Sequence, residues 1–216
     1  MDSVGAVGVI DKGALILRAL ADGPLDLADL QAATALPRAT AHRLAVALEQ
    51  HHLVRRDPAG RFCLGLELIR LGRAAADAFP LSDLAQPILA ALRDRTGESV
   101  QLYIREGDGR RCVASLQSPH ALRWMVPEGA VLPMGLGSAG KVLAAHDGQP
   151  LRIAESVEER EPGVASVSAA VVDRAGHMVA AVSVSGPVER LSRQPLVRFG
   201  ADVEHAAAQI SAALGG

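Results

Sequence analysis

The stretch LPRATAHRLAVALEQHHLVRRDPAGRFCL, residues 36–64, decides the fold class of the N-terminal part of the chain. Pro37 suits the first turn of a helix, because its missing N–H would have no partner there. Apolar residues follow with the i, i+3, i+4, i+7 spacing of one helix face, at Ala41, Leu44, Ala45 and Leu48. This spacing predicts a helix over 36–50 that buries one side and exposes small, hydrogen-bonding and basic side chains on the other.

The second half of the same stretch is typical of a hairpin. Asp57-Pro58-Ala59-Gly60 places Asp, Pro and Gly where a type I turn favours each of them. The flanking residues alternate, which predicts apolar side chains facing inward and two arginines, Arg55 and Arg61, facing outward.

Two shorter helices are predicted before this stretch. The first covers 11–22, with Asp11 as its N-cap, and the second covers 26–33, with Asp26 as its N-cap. Three helices followed by a basic two-stranded wing predict a winged helix-turn-helix domain over residues 1–65.

The charge of this domain differs from that of the chain. The whole chain has a formal net charge of −2, so that nucleic-acid binding would need a local basic patch. Such a patch lies between Arg38 and Arg61, where five arginines outnumber Glu49 and Asp57. The alternative is a solvated helix face, but the wing arginines favour DNA contact, which we expect from Arg38, Thr40, His42, Arg43, Arg55 and Arg61.

The pattern changes after this domain. A linker helix over 66–80 and a helix over 82–96 precede segments with strand character, and an alanine-rich helix closes the chain over 196–214. The strands are predicted at 99–106, 110–117, 122–126, 164–173 and 177–186, with a hairpin turn at 173–176. The sequence therefore predicts an α+β domain over 81–216 with a mostly antiparallel sheet.

The segment GLGSAGKV, residues 135–142, matches the phosphate-binding pattern G-x-x-x-x-G-K and raises the alternative of a P-loop-like nucleotide-binding protein. A true P-loop follows a buried strand and has Ser or Thr after its lysine. Here Pro133 interrupts the preceding segment and Val142 follows Lys141. We therefore expect these glycines to open a helix over 138–146 rather than to bind a nucleotide.

The order of these elements, together with the segments LPMGLGSAGKVLA, EREPGVASVSAAV and MVAAVSVSGPVERL, resembles the IclR family of bacterial transcription regulators over nearly the whole chain. It is most similar to the actinobacterial NdgR branch, which is associated with leucine and other amino-acid biosynthesis genes. The resemblance implies a double-stranded, pseudo-palindromic DNA operator, a dimer or tetramer, and a GAF-like C-terminal domain that binds a small metabolite.

The resemblance also implies a set of ligand-binding residues. They lie at the helix start, in an acidic loop, in the following strand and in the final strand, and they are Gly137, Ser138, Ser156, Ser166, Ser183 and Ser185. The segment between the helix and the acidic loop is shorter than usual in the family, which predicts an open or altered pocket. The hydroxyls would supply neutral donors only, a chemistry suited to a small carboxylate.

Other classes of function lack support in the sequence. We find no G-x-S-x-G or H-E-x-x-H motif and expect neither enzyme activity, nor a cofactor, nor a metal site. Cys63 and Cys112 have no metal or disulfide spacing and are expected to be reduced thiols. No apolar segment reaches membrane-spanning length, so we expect a cytoplasmic protein without a membrane partner.

Overall fold

The computed structural model describes residues 8–77, 81–145 and 151–215. The chain divides into two compact units, Met1–Phe79 and Pro80–Gly216. None of the helices in the described ranges is long and apolar enough to cross a membrane.

The first unit contains four helices and a hairpin. In chain order the helices are α1 (Gly8–Ala19), followed by a short 3-10 helix (Leu20–Asp22), α2 (Leu27–Thr34), α3 (Arg38–Gln50) and α4 (Glu67–Asp77). The two strands between α3 and α4 are β1 (Val54–Arg56) and β2 (Phe62–Leu64), which pair antiparallel. This order agrees with the predicted winged helix-turn-helix.

The ends of the helices agree only in part with the sequence. Asp26 caps α2 as predicted, since its carboxylate accepts from the N–H groups of Ala28 and Asp29 at 2.7 and 2.9 Å. The helix predicted from Asp11 begins earlier, at Gly8, so that Asp11 lies in its first turn and is not the N-cap. Pro37 lies at the N-cap of α3, one residue before the helical turn.

The wing turn forms as predicted. The carboxylate of Asp57 accepts from the backbone N–H groups of Ala59 and Arg61, both at 2.9 Å, and Gly60 takes a φ of +81°. Val54 and Phe62 bring the hairpin into the core of this unit. The buried members of that core are Ile16, Leu20, Leu30, Leu36, Ala41, Ala45, Val54 and Phe62.

The second unit is built around one six-stranded sheet. Its helices are α5 (Leu81–Thr96), α6 (Ser138–Ala144), α7 (Val188–Leu191) and α8 (Pro195–Leu214). Its strands are β3 (Ser99–Glu106), β4 (Gly109–Leu116), β5 (Val131–Pro133), β6 (Ile153–Val157), β7 (Val164–Val172) and β8 (Met178–Pro187). The strands lie in the order β5-β4-β3-β8-β7-β6, and every neighbouring pair is antiparallel. The predicted α+β class is confirmed.

The two faces of this sheet differ in chemistry. One face carries buried apolar residues such as Val167, Val182 and Val184, which form a core with α5 and α8. The other face carries serines at alternating positions of β7 and β8 and is covered by α6. Because successive side chains in a strand point to opposite faces, the S-V-S patterns of the sequence produce this division directly.

Three predictions for this unit were wrong. Residues 122–126 form no strand: Trp124 and Val126 pack into a core with α6, so their apolar character reflects burial without strand pairing. The edge strand is instead β5. Proline lacks a backbone N–H, and it is tolerated at Pro133 because no further strand pairs with this edge. Ser156, placed in a loop by the resemblance, lies in the strand β6, which is short and was not predicted.

Two further predictions reach beyond the described residues. His146, the predicted end of α6, lies outside them, as does Pro80, the predicted end of the linker helix. The helix α6 itself ends at Ala144, before the predicted end, because Ala145 is already extended at its C-cap.

Candidate nucleic-acid interface and ligand pocket

The exposed face of α3 carries the predicted basic and polar residues. Arg38, His42 and Arg43 are exposed and Thr40 is half-buried, whereas Ala41 points into the core. The helical spacing recognised in the sequence therefore separates the two faces as expected.

Not all of the basic residues are available to a partner. On the wing, Arg61 pairs with Asp57 at 2.7 Å, and Arg56 lies 3.5 Å from Glu49. Both wing arginines named in the sequence analysis, Arg55 and Arg61, are exposed, but only Arg55 lacks a paired carboxylate among the described residues. Arg38 and Arg43 likewise form no ion pair among the described residues, although the charge of Arg38 contributes to the lowered pKa of Asp26.

Arg56 was not among the predicted residues. Its guanidinium lies 4.2 Å from the ring centroid of Phe62, a cation-π contact that holds the wing arginine against the core. The ring of His42 in α3 also contacts Phe62 edge-on, with 6.5 Å between the ring centroids, so Phe62 connects α3 with the wing.

In the second unit, the six predicted ligand residues lie around one cavity. Gly137, Ser138, Ser156, Ser166, Ser183 and Ser185 all line it. The cavity has about 400 Å³ of empty space, of which about 30 Å³ admits the centres of water molecules. The smaller volume decides the size of a ligand that fits without rearrangement, because the larger one includes space open to solvent. Ligand binding by these residues stays a prediction.

Strand register explains why residues distant in sequence meet here. Ser156 lies opposite Ser166, which lies opposite Ser185 on its other side. In the next row, Ser168 lies opposite Ser183. The sheet therefore presents two parallel rows of hydroxyl groups on the face below α6.

Hydrogen bonds tie this hydroxyl surface to the helix. The hydroxyl of Ser138 lies 2.7 Å from those of Ser166 and Ser168, and the hydroxyl of Ser185 donates to the side-chain oxygen of Gln101 at 2.7 Å. Ser168 and Gln101 were not predicted, although the alternation of β7 and β3 places both on this face. A ligand here would meet a preorganised set of hydroxyl groups.

The glycines of GLGSAGKV have a packing role. Gly137 takes a φ of +80° at the start of α6, and a Cβ at Gly140 would collide with the carbonyl oxygen of Met134 and with the guanidinium of Arg110. Lys141, the lysine of the phosphate-binding pattern, pairs instead with the carboxylate of Glu159 and donates to the carbonyl oxygen of Glu155 at 3.0 Å. The segment follows an edge strand, which further separates it from a P-loop.

The predicted residues supply neutral donors, but they are not the whole lining of the cavity. Seven further residues line the cavity, and two of them are arginines: Tyr103, Arg110, Trp124, Ala139, Arg160, Glu161 and Val164. Arg110 is 3% exposed. The sequence signal for it was weak, since GRRCVASL gives two consecutive arginines and only the strand register decides which of them points inward.

The electrostatics around Arg110 are unusual for a buried cation. Burial lowers the pKa of its guanidinium, and the ring of Tyr103 lies 5.5 Å away. Two neighbours also act on this pKa: Tyr103 raises it in part, and the positive charge of Arg160 lowers it. At the mouth of the cavity, Arg160 lies 4.9 Å from the ring centroid of Trp124.

Cys112 lies in the core beside this cavity. It is fully buried, and burial raises the pKa of its thiol to about 12. Because only the thiolate is reactive, Cys112 is a core thiol rather than a redox sensor. Within the described residues there is also no cluster of side chains that could hold a metal ion.

Comparisons with known proteins agree with this architecture. The family model for the IclR helix-turn-helix domain matches residues 9–58, and the model for the bacterial transcriptional regulator IclR C-terminal domain matches residues 73–152 and 151–212. The chain is 31% identical to the glycerol operon regulatory protein of Streptomyces coelicolor over 88% of each chain. It is 25% identical to the transcriptional repressor IclR of Escherichia coli, over 99% of this chain and 92% of that protein.

Solved structures show the same fold. An IclR homolog complexed with 4-hydroxybenzoate from Microbacterium hydrocarbonoxydans has a TM-score of 0.80 at 20% identity, over 96% of this chain and 99% of that one. A regulator from Alicyclobacillus acidocaldarius has a TM-score of 0.79 at 21% identity, over 97% and 99%. With family matches in both units, this chain belongs to the IclR family and is a DNA-binding transcription regulator rather than an enzyme.

Proposed function

We propose that this regulator reads a pseudo-palindromic operator as an oligomer and that a small carboxylate bound in the serine-lined cavity controls it. The observation that carries the proposal is the cavity itself. Six residues from four separate parts of the sequence converge there, and a buried guanidinium lies among them.

The DNA contacts are assigned to α3 and the wing. Arg38, Thr40, His42 and Arg43 share the solvent-facing side of α3, the position from which side chains of a recognition helix reach base edges in the major groove. Arg55 and Arg61 extend the surface along the wing, where contacts to phosphate fix the orientation on the duplex.

An oligomer follows from the size of this surface and from an exposed apolar stripe. One winged helix covers a single half-site, so that a pseudo-palindrome needs two copies. In the linker region, Leu66, Ile69 and Leu71 are 69%, 53% and 43% exposed, and Ala74 and Ala75 are exposed beside them. We assign this surface to contact with a second copy of the chain, in a dimer or tetramer.

The ligand is assigned as a small carboxylate. Hydroxyl groups and a guanidinium are donors that suit carboxylate oxygens. The Microbacterium hydrocarbonoxydans relative was solved with 4-hydroxybenzoate, itself a carboxylate. Glu161 lies at the same cavity, but it is exposed and can turn to solvent.

The target genes are assigned by resemblance alone. The segments LPMGLGSAGKVLA and MVAAVSVSGPVERL resemble the NdgR branch, which suggests cytoplasmic control of leucine-type amino-acid biosynthesis genes. A leucine-biosynthesis operon beside the gene, and precipitation of its promoter with the regulator, would support this target. Occupancy at unrelated promoters only would refute it.

Calorimetry tests the ligand site. Leucine, methionine and their keto acids are titrated into the wild-type protein and into Ser183→Leu, which fills the cavity from the sheet. We expect binding of a carboxylate to the wild type and at least a tenfold loss in the variant. Tight binding that survives Ser183→Leu would place the ligand elsewhere.

Sedimentation should show an even-numbered oligomer, and a stable monomer would contradict that part of the proposal.

A further inference from the structure

Arg110 of β4 is the least explained charged group among the described residues. Its guanidinium is 3% exposed, and no described carboxylate forms an ion pair with it. It has one acceptor, the carbonyl oxygen of Pro133, which receives a hydrogen bond from Nη1. Its Nε is buried and has no hydrogen-bond partner among the described residues.

A buried acid and a more exposed arginine of this unit show the contrast. Glu98 is 2% exposed, and its carboxylate receives two hydrogen bonds from Arg190, at 2.5 and 2.9 Å. Arg111, the next residue along the strand, is more exposed and pairs with Glu106 at 2.5 Å. Buried charges in proteins are usually paired in this way, because an unpaired one loses its hydration without compensation.

Glu161 lines the same cavity, but it is exposed, and no ion pair joins it to Arg110 among the described residues. The nearer surroundings of Arg110 point to an anion from outside the chain. The ring of Tyr103 and the cation Arg160 surround it on the cavity side, and Gly137 lies beside its Nη2. Glycine at this position leaves the guanidinium open to the cavity. The side-chain nitrogen of Gln101 is also buried and without a partner, but an amide can be turned around. A guanidinium has only donors, so that Arg110 requires an acceptor whichever way it is oriented.

We infer that Arg110 is the charged anchor of the cavity and pairs with the carboxylate group of the ligand, while the serine hydroxyls hold the remaining polar atoms. This inference rests on the proposed carboxylate function and adds its specificity: the ligand must carry a negative charge at the end that meets Arg110. An uncharged analogue of the same shape leaves the guanidinium unpaired and is rejected.

The mouth of the cavity limits the ligand further. Trp124 and Arg160 contact one another across it, at 4.9 Å from guanidinium carbon to ring centroid. With about 30 Å³ open to the centres of water molecules, the cavity as it stands holds only about one or two waters, so we expect it to favour a small carboxylate. Longer ligands require these two side chains to separate.

The test compares charged and uncharged probes on the full chain. Acetate, pyruvate and the keto acid of leucine, each beside its own primary amide, are titrated into the wild type, Arg110→Gln and Arg110→Lys at constant ionic strength. Arg111→Gln is the matched control, because it removes the same charge from the neighbouring position of the same strand and does not line the cavity. The readouts are affinity by calorimetry and melting temperature with and without probe.

We expect the wild type and Arg111→Gln to prefer each carboxylate over its amide. Arg110→Gln should lower carboxylate affinity about 10- to 100-fold, as expected when a charge-assisted hydrogen bond is lost, and remove the preference. Arg110→Lys should keep part of it. Without probe, the melting temperature of Arg110→Gln should stay level or rise, because an unpaired buried charge has been removed.

Three outcomes overturn the inference. If carboxylates bind, Ser183→Leu blocks them, and Arg110→Gln keeps both affinity and preference, the cavity is correct and the anchor is wrong. If Arg110→Gln melts several degrees lower without probe and keeps the preference, Arg110 is only structural. If no carboxylate binds or stabilises the wild type, the proposed function and the anchor fail together.

Discussion

The two units of this regulator use unpaired arginines in opposite environments. On α3 and the wing, Arg38, Arg43 and Arg55 keep their charge in water, which costs little and leaves them available to a polyanion. In the second unit, Arg110 is buried and forms no ion pair among the described residues. If the proposed roles hold, we expect arginine to give a long-range, salt-sensitive contact in one unit and a short-range, selective one in the other.

This contrast predicts that breaking an ion pair has unequal effects in the two units. Glu98→Ala removes the buried carboxylate that Arg190 contacts, and we expect it to lower the free energy of unfolding of the second unit by about 3 kcal/mol. Part of the loss is recovered because the side chain of Arg190 is 29% exposed and can turn to solvent. Urea unfolding followed by the fluorescence of Trp124, the single tryptophan, reports on this unit alone.

The matched change in the first unit is Glu49→Ala, which removes the partner of Arg56. Both side chains are more than a third exposed, so we expect a loss below about 1 kcal/mol, measured by far-UV circular dichroism. Equal losses of unfolding free energy in Glu98→Ala and Glu49→Ala would contradict the expectation that the buried ion pair contributes more than the exposed one.

The close packing of α6 around Arg110 gives the next largest effect. Gly140→Ala places a methyl group against the carbonyl oxygen of Met134 and the guanidinium, and we expect a loss of about 2 kcal/mol in the same unfolding measurement. Gly135→Ala is the control, because a Cβ there meets nothing within 4 Å. An unchanged stability of Gly140→Ala together with a loss in Gly135→Ala would contradict the close packing described for Gly140.

The exposed arginines of α3 should affect sequence preference rather than stability. Arg43→Ala removes a side chain expected to contact a base edge, and we predict a loss of about 1–2 kcal/mol of discrimination between operator and unrelated DNA. Gel shifts with both DNAs measure it. Arg18→Ala, an exposed arginine of α1, should leave the discrimination unchanged. Wild-type selectivity in Arg43→Ala would refute the assignment of α3.

Substitutions in the wing should have the smallest effect, a change in the salt dependence of DNA binding. Arg55→Ala removes a charge without an acidic partner and should reduce the slope of log affinity against log salt by about 0.9. Arg61→Ala should change that slope less, because Asp57 already compensates its charge at 2.7 Å. Filter binding over a salt series distinguishes the two variants, and a larger change for Arg61→Ala would show that its ion pair opens on DNA.

Much of this architecture could be predicted because its signals are local. The Asp57–Gly60 turn, the stripe of α3 and the cap at Asp26 each depend on residues within four positions of one another. The ligand residues came from family motifs, and the structure places all six around one cavity. The segment 122–126 was misread because its apolar residues bury against α6, a contact that no local pattern records.

The sequence by itself determined the two units, the exposed basic face of α3, the wing and the alternation that places serines on one face of the sheet. Only the tertiary structure decided that β4 turns Arg110 inward, with Arg111 pairing on the surface, and that α6 closes over it through Gly140. The physical reason is that helical and turn periodicity act over a few residues. The environment of a buried charge, in contrast, depends on strand register and on segments that are distant in the chain, and these set both its hydration and its partners.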